Sequence, residues 1–214
     1  MKVFRAETLH EPDFDEIVSL LQGGGVMAFP TDTAYGLGAD PFNLAAIERI
    51  FTIKGRPDSK PVLLLVDSLA MAHSVIERND MFDRVAAKFW PGSLTLIAHA
   101  VTSLPAAVTA GTRTIGLRWP IAATATHLMS RFARPITATS ANRSGMGTPV
   151  TATEVRDQIG DSIDVLIDGG TLPARTGSTI LDLTADPPVL VREGPVAFES
   201  LAEFFGGNIR RRVA

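Results

Sequence analysis

Short apolar runs alternate along the chain with longer segments whose apolar positions recur every three or four residues, the signatures of buried strands and amphipathic helices. The first half reads as a strand at KVFR (2–5), a helix over 13–22, a strand at VMAFP (26–30), a helix over 43–54 and a strand at PVLLLV (61–66). The second half continues with a helix over 81–90, strands LTLIAHA (94–100) and TIGLRW (114–119), a helix over 122–132 and a strand at PITATS (135–140). A helix over 151–159 follows, then strands VLIDGG (165–170), STILDL (178–183) and PVLVRE (188–193), and a closing helix over 198–205. This alternation predicts an α/β fold, and the late strands that follow one another without helices predict a mixed sheet rather than a parallel one. No repeat or linker divides the chain, so residues 1–214 are expected to form one domain.

Composition narrows the chemistry. There is no cysteine among the 214 residues, which removes disulfides, zinc ribbons and thiolate nucleophiles and fits a reducing compartment. No apolar stretch reaches membrane-span length and the N-terminus lacks a signal-peptide pattern, so a cytoplasmic protein with no membrane partner is expected. The net charge of −3 gives no overall attraction for polyanions, so any phosphate chemistry must rest on a local cluster of cations. Two of the lysines, Lys54 and Lys60, flank Arg56 in KGRPDSKP. The terminal Arg210, Arg211 and Arg212 read as a solvated charge run.

Residues that carry chemistry gather where strands end, where loop backbone is free to face a ligand. PTDTAYGLG (30–38) sets Thr31, Thr33 and Tyr35 among glycines, and reads equally as a capped strand-to-helix turn. In KGRPDSKP, Lys54 suits a helix C-terminus, whereas Arg56 and Lys60 lie beyond the stop and favour an anion such as a polyphosphate. TSANRSGMG (139–147) has the makings of a backbone anion nest or of a flexible polar loop. The standard nucleotide loops GxxxxGK[ST] and GxGxxG are absent. Arg118 falls between apolar neighbours and needs a partner, either an internal carboxylate such as Asp182 or the carboxylate of a substrate. The histidines lack metal-ligand spacing, and no residue set suggests a resident metal.

In order, PTDTAYGLG, KGRPDSKP, PGSLT, GLRWP, TSANRSG, GSTILD and VREG resemble the YrdC-like family of threonylcarbamoyl-adenylate synthases, from about Gly24 to Gly194. The resemblance implies a twisted mixed sheet with flanking helices around a basic concave cleft. It further implies conversion of ATP, L-threonine and bicarbonate to threonylcarbamoyl-AMP and pyrophosphate, with Mg²⁺, for the threonylcarbamoyladenosine modification of tRNA by downstream threonylcarbamoyl transferase proteins. Carried over position by position, ATP contacts fall on Arg56, Lys60, Thr114, Ser140, Asn142, Thr148 and Arg192. Threonine contacts fall on Thr33, Arg118, Ala138 and Ser178, and Lys54, Arg56 and Lys60 are the catalytic cations. Leu65 stands where many members carry a histidine, which predicts looser amino-acid selectivity. The competing expectation is a non-catalytic protein that grips tRNA or double-stranded RNA in the same basic cleft.

Overall fold

The computed structural model describes residues 1–55, 61–173 and 177–212. In chain order the elements are β1 (Lys2–Arg5), α1 (Glu11–Gln22), β2 (Met27–Pro30), β3 (Tyr35–Gly38), α2 (Leu44–Lys54), β4 (Leu64–Leu65), α3 (Leu69–His73), α4 (Asp80–Phe89) and β5 (Leu94–His99). There follow α5 (Ala106–Thr109), β6 (Thr114–Arg118), α6 (Ala123–Phe132), β7 (Ile136–Thr137), β8 (Thr139–Ser140), α7 (Ala152–Ile159), β9 (Val165–Asp168), β10 (Thr179–Asp182), β11 (Val189–Arg192), α8 (Phe198–Phe204) and β12 (Arg210–Arg211). Local chemistry explains several helix starts. The Asn43 side chain accepts the Ala46 N–H, Asn79 accepts from Met81 and Phe82, and Thr151 with Glu154 forms a capping box. Helix α2 stops at Gly55, whose φ of 61° is the left-handed conformation that glycine adopts without a Cβ penalty.

The fold is α/β and mixed as expected, but the strands divide into two sheets where one was predicted. A five-stranded sheet has the order β1-β9-β2-β3-β8, and a seven-stranded sheet the order β12-β11-β10-β5-β6-β4-β7. Both mix parallel and antiparallel pairs; β9 runs parallel to β1 and β2, for instance, whereas β5 is antiparallel to β6. The segment PITATS joins the sheets rather than forming one strand. Its first half pairs with β4 in the larger sheet, its second half with β3 in the smaller, and Ala138 is the residue between. PVLLLV likewise contributes only the two residues of β4.

The two sheets are covered differently. On the smaller sheet Met27 and Phe29 pack with Ile17 and Leu21 of α1 and Leu128 and Met129 of α6, while Ala28 and Leu37 pack on the other face with Ile50 of α2 and Val155 of α7. Alternate side chains of a strand point to opposite faces, so helices bury both faces. On the larger sheet one face carries Leu94, Leu96, Ile115, Leu117, Leu181 and Leu190 into an apolar cluster with α2, α4 and α8. The other face carries Thr95, Ile97, Thr114, Gly116, Arg118 and Ile180, which together form the floor of a cleft.

Candidate functional site

The cleft has a volume of about 820 Å³ and lies where the open face of the larger sheet meets the β2–β3 turn and the β7–β8 crossover. Its floor comes from β5, β6, β10 and β11, and its walls include Thr31, Thr33, Ala34, Ala138, Ser140 and Thr148. Gly116 keeps the floor low, since a Cβ there would sit 3.2 Å from Thr95 Cγ2.

Arg118 is the organising charge. Its side chain is 3% exposed, and its Nη1 donates to Thr33 Oγ1 at 2.8 Å while Nη2 donates to Thr31 Oγ1 at 3.3 Å. The carboxylate facing it is Asp32, with Oδ2 3.6 Å from Nη1. Asp182, the internal partner considered from sequence, instead accepts from the Thr184 N–H and hydroxyl. Ser93 Oγ donates to Asp32 Oδ2 at 3.0 Å, which fixes the carboxylate from behind. Burial pushes the Arg118 pKa down, Asp32 opposes that shift, and the charge of Arg192 adds to it; a guanidinium remains protonated even so. Two buried atoms of this cage have no hydrogen-bond partner, Asp32 Oδ1 and Arg118 Nε. Buried polar atoms are almost always paired, so these two are the hydrogen-bonding capacity that the protein's own side chains leave over in the cage.

The turn that presents Thr31 and Thr33 is held by its own backbone. Thr31 Oγ1 donates to Ala34 O at 2.7 Å and accepts the Thr33 and Ala34 N–H groups. Tyr35 faces the cleft, but its hydroxyl donates to Gly170 O at 2.8 Å and accepts from the Gly169 N–H at 2.9 Å, so its polar tip ties down the β9 exit instead of awaiting a ligand. Burial raises the Tyr35 pKa, the first of several causes. PTDTAYGLG is thus neither a simple turn into a helix nor an all-ligand loop; its second half is strand β3.

Across the floor, Thr95 Oγ1 and Ser178 Oγ lie 2.6 Å apart. Arg192 donates through Nε and Nη2 to Ser178 O at 3.0 and 2.7 Å, and burial lowers its pKa. The glycine of VREG has a steric cause: a Cβ on Gly194 would lie 2.6 Å from Gly177 O and 2.7 Å from Thr179 N, so only glycine lets these backbones cross.

Lys54, expected among the catalytic cations, is buried at the end of α2. Its Nζ donates to Ser140 O at 2.6 Å, Ser140 Oγ at 3.1 Å and Asn142 Oδ1 at 2.7 Å, and it does not line the cleft. Asn142 is also behind the wall, with Nδ2 donating to Met146 O at 2.7 Å. The pair clamps the 139–147 loop onto the end of α2 and so presents Ser140. Thr33, Thr114, Arg118, Ala138, Ser140, Thr148, Ser178 and Arg192 all line the cleft together. Arg56 and Lys60 lie outside the described residues. Leu65 is fully buried in the apolar cluster of Phe29, Leu128 and Ile136 and does not line the cleft.

Sequence reasoning missed Thr95, Gly116, Ile180 and Arg212. Gly116 was legible in principle, because in TIGLRW the alternate residues Thr114, Gly116 and Arg118 are smaller or more polar than Ile115, Leu117 and Trp119 between them. Among the described residues the lining holds Arg118, Arg192 and Arg212 and no Asp, Glu or His, so the cleft is basic in a chain of net charge −3.

Residues 19–194 match the Sua5/YciO/YrdC family, whose description reads "Telomere recombination". The chain belongs to this family. It is 37% identical over 190 residues to the threonylcarbamoyl-AMP synthase of Pyrococcus abyssi, covering 87% of this chain and 55% of that protein. It is 36% identical over 190 residues to a putative threonylcarbamoyl-AMP synthase of Mycobacterium tuberculosis, covering 88% and 87%. The crystal structure of P. abyssi Sua5 complexed with L-threonine superposes with a TM-score of 0.92 at 34% identity, covering 99% of this chain and 62% of that one. The chain therefore spans little more than half the length of the archaeal relative and most of the mycobacterial one. Among the described residues no helix is long and apolar enough to cross a membrane.

Proposed function

We propose that the chain is a cytoplasmic L-threonylcarbamoyladenylate synthase, a nucleotidyltransferase that forms threonylcarbamoyl-AMP and pyrophosphate from L-threonine, bicarbonate and ATP for tRNA modification. The observation that carries this reading is the Arg118 cage: a buried, pre-oriented guanidinium that lines a cleft with no acidic side chain among its described residues. Threonine's carboxylate pairs with Arg118, the Thr33 and Ser178 hydroxyls line the same pocket, and Ala138 closes it through the crossover backbone. The threonine complex of the P. abyssi relative supports the choice of amino acid.

The chemistry needs little more than placement. The threonine amine, once deprotonated, condenses with bicarbonate, forming the N–C bond of a carbamate with loss of water. A carbamate oxygen then attacks the α-phosphorus of ATP, the new O–P bond forming as the bond to the β-phosphate oxygen breaks and pyrophosphate leaves. Arg192, Thr114, Ser140 and Thr148 hold the nucleotide, with Arg56 and Lys60 as the further cations against the phosphates. Preorganised donors of this kind lower the barrier electrostatically without a covalent intermediate. Magnesium would neutralise phosphate charge in such a reaction; among the described residues no group of three His, Asp or Glu is placed to hold a metal. The amine's proton passes to solvent, since no Asp, Glu or His lines the described cleft.

The RNA-binding alternative has less support, because about 820 Å³ is the size of a small-molecule site and not of a duplex groove. The test is pyrophosphate release with ATP, Mg²⁺ and bicarbonate and each amino acid in turn. Release that depends on threonine and bicarbonate is expected. Release independent of both, or none together with tight RNA binding near physiological salt, would overturn the reading.

A further inference from the structure

The terminal arginines are exposed but belong to a strand. Arg210 and Arg211 form β12, parallel to β11, with Val189 opposite Arg210 and Leu190 opposite Arg211. The Arg212 N–H continues the ladder to Leu190 O at 2.8 Å. Partners in register share a face of the sheet, so residue 212 falls beside Val191, on the face that floors the cleft. Arg212 does line the cleft, whereas Arg211 points to the other side, where it pairs with Glu193 and Glu199 and stacks over Phe198 at 4.1 Å. Among the described residues no carboxylate pairs with Arg212, and no acidic side chain lines the cleft it faces. Arg212 is thus a third guanidinium lining a concavity without a carboxylate among its described residues, and cations gathered in such a cleft favour an anion there.

We infer that Arg212 is a further nucleotide-binding residue of this chain, a cation that holds the polyphosphate of ATP and is supplied by an edge strand beyond the 19–194 family match. This rests on the proposed ATP-dependent reading. The added strand places a charge at the Arg192 end of the floor, opposite the Arg118 cage, where polyphosphate charge is otherwise met by Arg192 alone among the described residues. Register rather than length makes the position specific: a one-residue slip of β12 would turn Arg212 away and bring Arg211 in.

Calorimetric titrations with ATP, AMP and adenosine test this on the wild-type chain, Arg212→Gln and Arg211→Gln. Arg212→Gln is expected to weaken ATP by about tenfold, the loss of one charged hydrogen-bonding group, with a smaller loss for AMP and none for adenosine. Arg211→Gln should leave all three nearly unchanged. Equal losses for ATP, AMP and adenosine would mean contact with the base and would overturn the polyphosphate assignment, as would unchanged ATP affinity in Arg212→Gln. Failure of the wild-type chain to bind ATP would instead sink the nucleotide reading on which the inference stands. Pyrophosphate release by Arg212→Lys separates charge from fork geometry: a rise in KM for ATP with little change in kcat is the result expected of a binding residue.

Discussion

The two ends of the cleft hold their arginines in opposite ways. Arg118 is nearly sealed from solvent, bonded to two threonine hydroxyls and faced by Asp32, which Ser93 fixes in turn. Arg192 is exposed, rests only on the Ser178 carbonyl and has no carboxylate partner among the described residues. A buried, fully framed cation costs much desolvation but cannot be misplaced, which suits recognition of a small carboxylate in one orientation. A looser cation adapts to a flexible polyphosphate and returns to water when the product leaves.

That contrast can be broken by mutation. The largest effect is expected for Arg118→Leu, which leaves the Asp32 carboxylate buried and uncompensated. Stability should fall by about 3–5 kcal/mol in denaturant titrations. Asp32→Asn in the same background should restore much of that loss without restoring threonine-dependent turnover. If Arg118→Leu alone keeps wild-type stability, the cage is not the electrostatic unit described. Arg118→Lys, which keeps the charge and loses the fork, should raise KM for threonine more than KM for ATP.

Lys54→Met comes next. It removes the charged donor to Ser140 O and Asn142 Oδ1; each acceptor keeps a second donor, the Asn142 N–H and the Ser140 hydroxyl, so the cost is that of the lost charge-assisted hydrogen bonds, about 1.5–3 kcal/mol. Because Lys54 positions the loop and does not line the cleft, ATP affinity should fall through disorder of Ser140, and faster amide hydrogen exchange over 140–147 should accompany the loss. A weakened affinity with unchanged exchange would mean that Lys54 touches the nucleotide directly.

Arg192→Gln should cost little stability, within about 1 kcal/mol, and weaken ATP by about tenfold. The exposed pair of Arg49 and Asp164, 2.8 Å apart, is the reference for charges with neither role. Burial raises the Asp164 pKa, but hydrogen bonds from Arg49 and the Val26 N–H and the Arg49 charge outweigh it, so the net shift is downward. Its small contribution is therefore present above the unfolded-state carboxylate pKa and lost as pH falls through the lower folded value. Asp164→Asn should cost under about 1 kcal/mol at pH 7, with the difference vanishing in acid.

Much of this molecule is written locally. Asn43, Asn79 and Thr151 cap the helices they precede, and the apolar runs mark most strands because burial on one face demands alternation. What the local pattern does not contain is pairing. PITATS is one apolar run, yet its halves join different sheets because β4 and β3 each offer an edge, a fact visible only in three dimensions. Asp32 and Asp182 are equally acidic in sequence, and only the fold brings Asp32 to Arg118. The cleft residues drawn from the family resemblance assemble on one surface, but Lys54 and Asn142 stand behind it, because motif order records proximity and not which side chain reaches the cavity. Arg212 was illegible for the same reason: a charge run at a terminus becomes a strand only when β11 supplies the edge.

On the proposed function one cleft holds both substrates, threonine in the Arg118 cage and ATP toward Arg192. A crystal structure of the chain with L-threonine and a non-hydrolysable ATP analogue tests it most directly. The threonine carboxylate is expected within hydrogen-bonding distance, about 3 Å, of the Arg118 guanidinium, with the triphosphate against Arg192 and Arg212. Threonine bound away from Arg118, or nucleotide bound outside the cleft, would contradict the account.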